Sequence, residues 1–158
     1  MIGTPHILAG GAIGKRAGSA YLAVPLAFAS HFALDALPHV DTVSYLGLGG
    51  LKSDLTIAAD TIVGAAVLLV LARGHKRMRW ILWSGFAAAI MDVIAMFPKW
   101  FPNTSAWPGL SHLCSFHSAL SGSLPVSEWP VGVLTQVLTV ALAVFFLIHP
   151  RERTRQAE

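Results

Sequence analysis

The chain has 158 residues, is 54% hydrophobic and carries only 12% charged side chains, with a mean hydropathy of +0.62. A soluble globular domain averages about 25% charged residues, so this composition excludes that class and predicts a single integral membrane domain. The net charge of +3 does not indicate nucleic acid, because the basic residues sit in short patches flanking apolar runs, as cytoplasmic loops of membrane proteins do.

The first apolar segment, residues 5–16, is too short to span and reads as a half-helix. No basic region precedes it, so it does not read as a signal peptide. Four later segments have the length that about 30 Å of hydrocarbon requires. They are 19–37, ending at Pro38; 54–72, starting after Ser53 as N-cap; 79–97, ending at Pro98; and 129–148, with Pro130 at an early helical position. The connection 98–128 carries Trp100 and Trp107, with Trp129 beyond it, and includes a short helix over Leu110–Leu120. The expected fold is therefore an all-α membrane protein: four transmembrane helices, an N-terminal half-helix and a short helix in an outer loop. Residues 1–150 form the membrane domain and 151–158 a polar tail.

Lys15 and Arg16, the run from Arg73 to Arg79, and Arg151, Arg153 and Arg155 all fall on one side of a four-span topology. The positive-inside rule makes that side cytoplasmic and places the C-terminus there, as in a bacterial-type inner membrane. Loops 38–53 and 98–128, with Lys52 and Lys99 only, then face outward.

Against this apolar background the ionisable residues stand out. A charge at the bilayer centre costs at least about 2.5–3.5 kcal/mol, so intramembrane carboxylates and imidazoles mark function or a specific buried pair. His31 and Asp35 are four residues apart on one helix face and can share a cation, or can form a buried ion pair. At about 1.5 Å per helical residue, His6, His31, Asp60 and Asp92 fall in one layer in the outer half of the membrane, with Asp35 one turn further out. His39 and Asp41 follow Pro38 at the outer mouth. Asp60 and Asp92 each need a buried partner, and the histidines are the available ones. Asp54 reads as compensation of a helix N-terminus, Cys114 as an apolar filler, and His75 and His149 as solvated cytoplasmic residues. The small residues Gly10, Gly14 and Gly18, and the pairs Ser84/Ala88 and Gly85/Ala89, have the spacing that lets membrane helices approach closely.

Several of these stretches resemble a known family. Thr4-Pro5-His6, His31-x3-Asp35, Leu37-Pro38-His39-Val40-Asp41 and Phe116-His117-Ser118 are similar to motifs of the small inner-membrane proteins described as membrane-bound metal-dependent hydrolases, themselves similar to the zinc-dependent phospholipase C group. His39 stands where that family has an aspartate. The resemblance implies His6, His31, Asp35, Asp41 and His117 as metal ligands, to which the depth argument adds Asp60 and Asp92; His39 completes the candidate set. The expected cofactor is one or two divalent ions, zinc first, with manganese or iron as alternatives. The expected activity is hydrolysis of a lipid or lipid-linked phosphoester at the outer face, with Asp41 or Asp92 as general base. A proton or divalent-cation transporter, and a scaffold whose buried ion pairs set helix register, are the rival readings.

Overall fold

A computed structural model describes residues 1–40, 47 and 50–150. Among these residues it is all-helical, with α1 Gly3–Arg16, α2 Ala20–Asp35, α3 Gly50–Ala72, α4 Met78–Trp100, α5 Pro108–Leu120 and α6 Trp129–Ile148. Short 3-10 turns at Pro102–Ala106 and Val126–Glu128 precede α5 and α6. Asp41 and the tail 151–158 lie outside the described residues.

Among the described residues three helices, α3, α4 and α6, are long and apolar enough to cross a membrane, not four. The segment 19–37 is the exception. Ser19 caps α2 by accepting from the Tyr21 N–H, and the helix stops at Asp35, three residues before Pro38. Its 16 residues extend roughly 24 Å, short of the hydrocarbon thickness. Two boundaries also move outward. Helix α3 begins at Gly50, which puts Ser53 inside the helix and Asp54 beyond its first turn, so neither acts at the N-terminus. Helix α4 continues through Pro98 to Trp100; a proline there removes only one backbone donor near the end of the helix.

The short α1 is the centre of the bundle. It packs against α2, α3, α4 and α6, and ten of its residues are buried, four of them glycines. The glycines make this possible. A Cβ on Gly10 would lie 2.5 Å from the Ser84 carbonyl oxygen, and one on Gly14 would lie 2.7 Å from that of Trp80, so α1 and α4 meet backbone to backbone. Gly11 receives Leu68 of α3, and Gly64 of α3 receives Thr4. Ile7, Leu8, Ala12, Leu68, Ile81 and Leu147 fill the bundle between the two ends of α1.

Basic side chains fasten one end. Buried Lys15 donates to the carbonyls of Leu147 and His149, and Arg16 donates to those of Phe146 and His149, closing the C-terminus of α6. Arg77, in the α3–α4 connection, donates to Ala17 and Gly18 just past α1. These cations meet the carbonyls that a helix C-terminus leaves unpaired. The C-terminal ends of α1, α3 and α6 and the start of α4 thus gather at one end of the molecule.

Candidate metal centre

The other end of α1 carries the ionisable cluster. Asp35 is its hub, with a side chain 3% exposed. His6 Nε2 lies 3.1 Å from Oδ1; His31 Nε2 and His117 Nε2 lie 3.2 and 2.8 Å from Oδ2. The Met1 amino group is 2.8 Å from Oδ1. Asp92, on α4, places Oδ1 3.8 Å from His31 Nε2 and 3.9 Å from His117 Nε2. His6, His31, Asp35 and Asp92 each offer a ligand atom within 4.8 Å of all the others.

Each element delivers its residue for a local reason. On α2, the i,i+4 spacing that buries Ala27 also buries His31 and Asp35 along the same face. On α1, the first turn sits close to α3 because Asp60 grips it. The Thr4 N–H donates to Asp60 Oδ2 and the Thr4 hydroxyl to Oδ1, each at 2.8 Å, so an α3 carboxylate receives a donor that the α1 N-terminus would otherwise leave unpaired. His6 follows one half-turn later and stacks on His31 with ring centroids 4.2 Å apart. Helix α5 is laid over the cluster by Phe116 against Phe32, and presents His117 beside it.

The loops after α2 and α5 are clamped together. Gly122 N–H donates to the Asp35 carbonyl, His39 N–H to that of Gly122, and Leu124 N–H to that of His39. A Cβ on Gly122 would lie 2.7 Å from the Leu37 carbonyl oxygen, so this close approach requires glycine. Gln136 of α6 donates to the Val40 carbonyl and anchors the same strand of chain.

The hydrogen bonds also decide which ring nitrogens face the cluster. His31 Nδ1 lies 2.8 Å from the Ala88 carbonyl oxygen and His39 Nδ1 lies 2.8 Å from that of Leu37; both nitrogens must donate, since carbonyls only accept. In the neutral rings Nε2 is then a bare lone pair. For His31 that lone pair points at an Asp35 oxygen and at His117 Nε2, 3.0 Å away. Lone pairs at such distances repel unless a proton or a cation lies among them. A backbone carbonyl that fixes the tautomer of an imidazole is the usual outer partner of a metal-bound histidine. His6 Nδ1 is buried and has no hydrogen-bond partner among the described residues. The donor set and its outer partners therefore fit a divalent cation.

A cavity of about 230 Å3 opens onto this cluster, lined by Asp35, His39, Asp60, Asp92, His117 and Ser123 among others. The structure brings together His6, His31, Asp35, Asp92 and His117. It places His39 and Asp60 on the cavity wall with other engagements: His39 Nε2 is 3.3 Å from Ser123 Oγ, and the Asp60 carboxylate is held by Thr4. Asp54 forms an ion pair with Lys99 across the α3–α4 pair. Cys114 is a free, half-buried thiol on α5, three residues before His117. Ser123 carries no signal in the sequence, and Thr4 stands in the Thr4-Pro5-His6 stretch without any sign that Asp60 is its partner.

Comparison with known protein families, with characterised proteins and with solved structures finds no match to this chain. The resemblance to the membrane-bound metal-dependent hydrolases therefore rests on the short motifs around His6, His31, His39 and His117 alone.

Proposed function

We propose that the protein is a membrane-embedded, metal-dependent hydrolase of a lipid or lipid-linked phosphoester, with its site at the outer side of an inner membrane and its basic end in the cytoplasm. The observation that carries this reading is the convergence of His6, His31, Asp35, Asp92 and His117 from four helices, with the His31 tautomer fixed by Ala88 so that Nε2 faces the group. His6, His31 and Asp35, which belong to the group of ligand atoms within 4.8 Å of one another, would hold one divalent cation, zinc by donor type, with His117 beside Asp35 and His31 as a further donor. Such a cation, when bound, supplies an activated water and charge stabilisation at a phosphoryl oxygen.

The chain's own residues do the rest. Asp92 is the more exposed carboxylate of the group, its side chain 27% accessible against 3% for Asp35. It borders the cavity at 3.8–3.9 Å from two imidazoles, a position from which it can accept the proton of an attacking water. His39 Nε2, a bare lone pair 3.3 Å from the Ser123 hydroxyl at the cavity wall, is placed to take up a proton there and, once protonated, to pass it to a leaving alcohol.

The transporter reading requires polar groups continuing to the basic end. Between the cluster and Lys15 the described interior is apolar except for the buried Ser84 hydroxyl, with Ile7, Leu8, Leu68, Ile81 and Leu147 closing the bundle around it. That favours chemistry at a closed site over conduction.

Elemental analysis of the purified protein tests the reading. About one zinc, manganese or iron per chain is expected, lost in His31→Ala and Asp35→Asn. Protein without metal after metal-supplemented purification overturns the proposal.

A further inference from the structure

Two grooves flank the bundle. The larger, about 640 Å3, lies between α1, α2 and α6 and is walled by residues such as Ala9, Leu34, Leu142 and Phe146. It shares no wall residue with the metal-site cavity. The smaller, about 250 Å3, lies between α3 and α4, and it shares Ile57, Asp92 and Met96 with that cavity.

The smaller cleft has a structural cause. Helices α3 and α4 are joined by a short turn, yet each packs on α1 more than on the other. They close on each other at Leu68, whose side chain sits where a Cβ of Gly85 would be. Further from the turn, α1 wedges them apart. At the far end Asp54 and Lys99 bridge them as an ion pair. The opening between these two points faces sideways, where a membrane-spanning α3 and α4 meet lipid. Its walls are Ile57, Ala58, Ile62, Val93 and Met96, Trp100 stands at the end near the ion pair, and its inner limit is the Asp92 carboxylate.

We propose that this cleft is the lateral entry of the substrate and holds one alkyl chain of a membrane lipid while the polar head lies in the metal-site cavity. The inference rests on the hydrolase reading and adds how its substrate is held. An amphiphile fits the sequence of surfaces: an apolar slot open to hydrocarbon, then a carboxylate and imidazoles in the cavity that adjoins it across Ile57, Asp92 and Met96. The larger groove does not adjoin that cavity, so its size does not make it the substrate path.

The test is photolabelling of the full-length protein in lipid nanodiscs, using a long-chain alkyl phosphate with a diazirine on the chain, with zinc content measured on the same samples. Label is expected on the peptides containing Ile57–Ile62 and Val93–Met96. Ala58→Trp and Ile62→Trp, which fill the cleft from exposed positions, should lower it several-fold with zinc retained. Leu34→Trp, in the larger groove, should leave it unchanged. Label confined to Ser30–Leu37 and Thr139–Phe146, or cleft labelling indifferent to both tryptophans, overturns the proposal. Zinc absent with the cleft still labelled overturns the hydrolase reading instead and leaves the cleft as an alkyl-chain site.

Discussion

The two ends of α1 solve the same problem in opposite ways. Both bury polar groups in a mostly apolar bundle, which costs free energy unless those groups find partners. At the basic end Lys15, Arg16 and Arg77 each meet backbone carbonyls at or just past a helix C-terminus, so each of these three cations has acceptors within the chain. At the other end, His6, His31 and His117 crowd one carboxylate, two Nε2 atoms stand 3.0 Å apart, and His6 Nδ1 has no partner among the described residues. The first arrangement is self-sufficient. The second is complementary to something further, which is why the same kind of burial reads as architecture at one end and as a site at the other.

Removing the hub should break this contrast most strongly. Asp35→Asn takes the charge from the oxygens that three imidazoles and the Met1 amino group approach. Breaking a buried pair by neutralising one partner costs about 3–5 kcal/mol. We expect metal content to fall to background and the thermal midpoint to drop sharply, and the difference in midpoint between chelator-treated and metal-loaded samples to vanish. Metal retained at the wild-type level would mean that the cluster is only structural.

Next in size is the contact that brings both ends together. Gly10→Val places a branched side chain where Cβ alone would stand 2.5 Å from a carbonyl of α4. Overpacking of this kind costs about 1–3 kcal/mol or more. The cluster should suffer indirectly, because α1 carries His6 and α4 carries Asp92. Gly18→Ala, where nothing lies within 4 Å, should be nearly neutral. Thermal unfolding of the two variants in detergent gives the comparison; equal midpoints would mean that α1 is not seated between the other helices.

These two variants also mark what was legible in the sequence. The pairing of His31 with Asp35 follows from helical spacing alone, and Asp92 follows from depth, since both depend only on rise per residue within one apolar helix. The stripe Gly10/Gly14 and the small residues Ser84, Gly85 and Ala88 were visible, but not that they face one another. The central position of α1 was not legible: 14 residues are too few to span, and nothing local separates a surface half-helix from a buried one. Asp60 lay at the right depth, yet its partner Thr4 is 56 residues away, beyond the reach of any pattern argument. The fourth span failed because hydropathy over 19–37 ignores where the hydrogen-bonded helix ends, and α2 ends at Asp35. Lys15 announced an orientation by its charge but not its burial, which depends on the carbonyls of a helix more than 130 residues on.

Lys15→Met sharpens the comparison from the basic end. It removes a buried cation whose donors satisfy Leu147 and His149, leaving those carbonyls to other partners. Losing partners of this kind costs about 1–3 kcal/mol. Stability should fall while metal content stays at the wild-type value, the reverse emphasis of Asp35→Asn. A variant that lost metal in step with stability would mean that the two ends do not act separately.

The smallest effect belongs to His75, in the turn between α3 and α4. The structure makes it less solvated than its basic neighbourhood suggested: it is half-buried, and its Nδ1 accepts the Arg77 N–H at 3.0 Å, which a ring protonated there could not do. Burial, then the charges of Lys15 and Arg77, hold its pKa below the ordinary value of 6.5. The sign follows directly. Below pH 6.5 the unfolded chain protonates this ring while the folded chain still resists, so the unfolded state binds more protons and stability falls as pH falls. The loss begins near 6.5 and is complete once the pH is below the folded value. His75→Gln removes that proton uptake, so its thermal midpoint should decline less than the wild type's between about pH 7 and about pH 5. The cluster histidines are common to both proteins and cancel in the difference. An unchanged slope would mean that Lys15 and Arg77 do not press on His75, and hence that the basic end is more open to solvent than its carbonyl contacts imply.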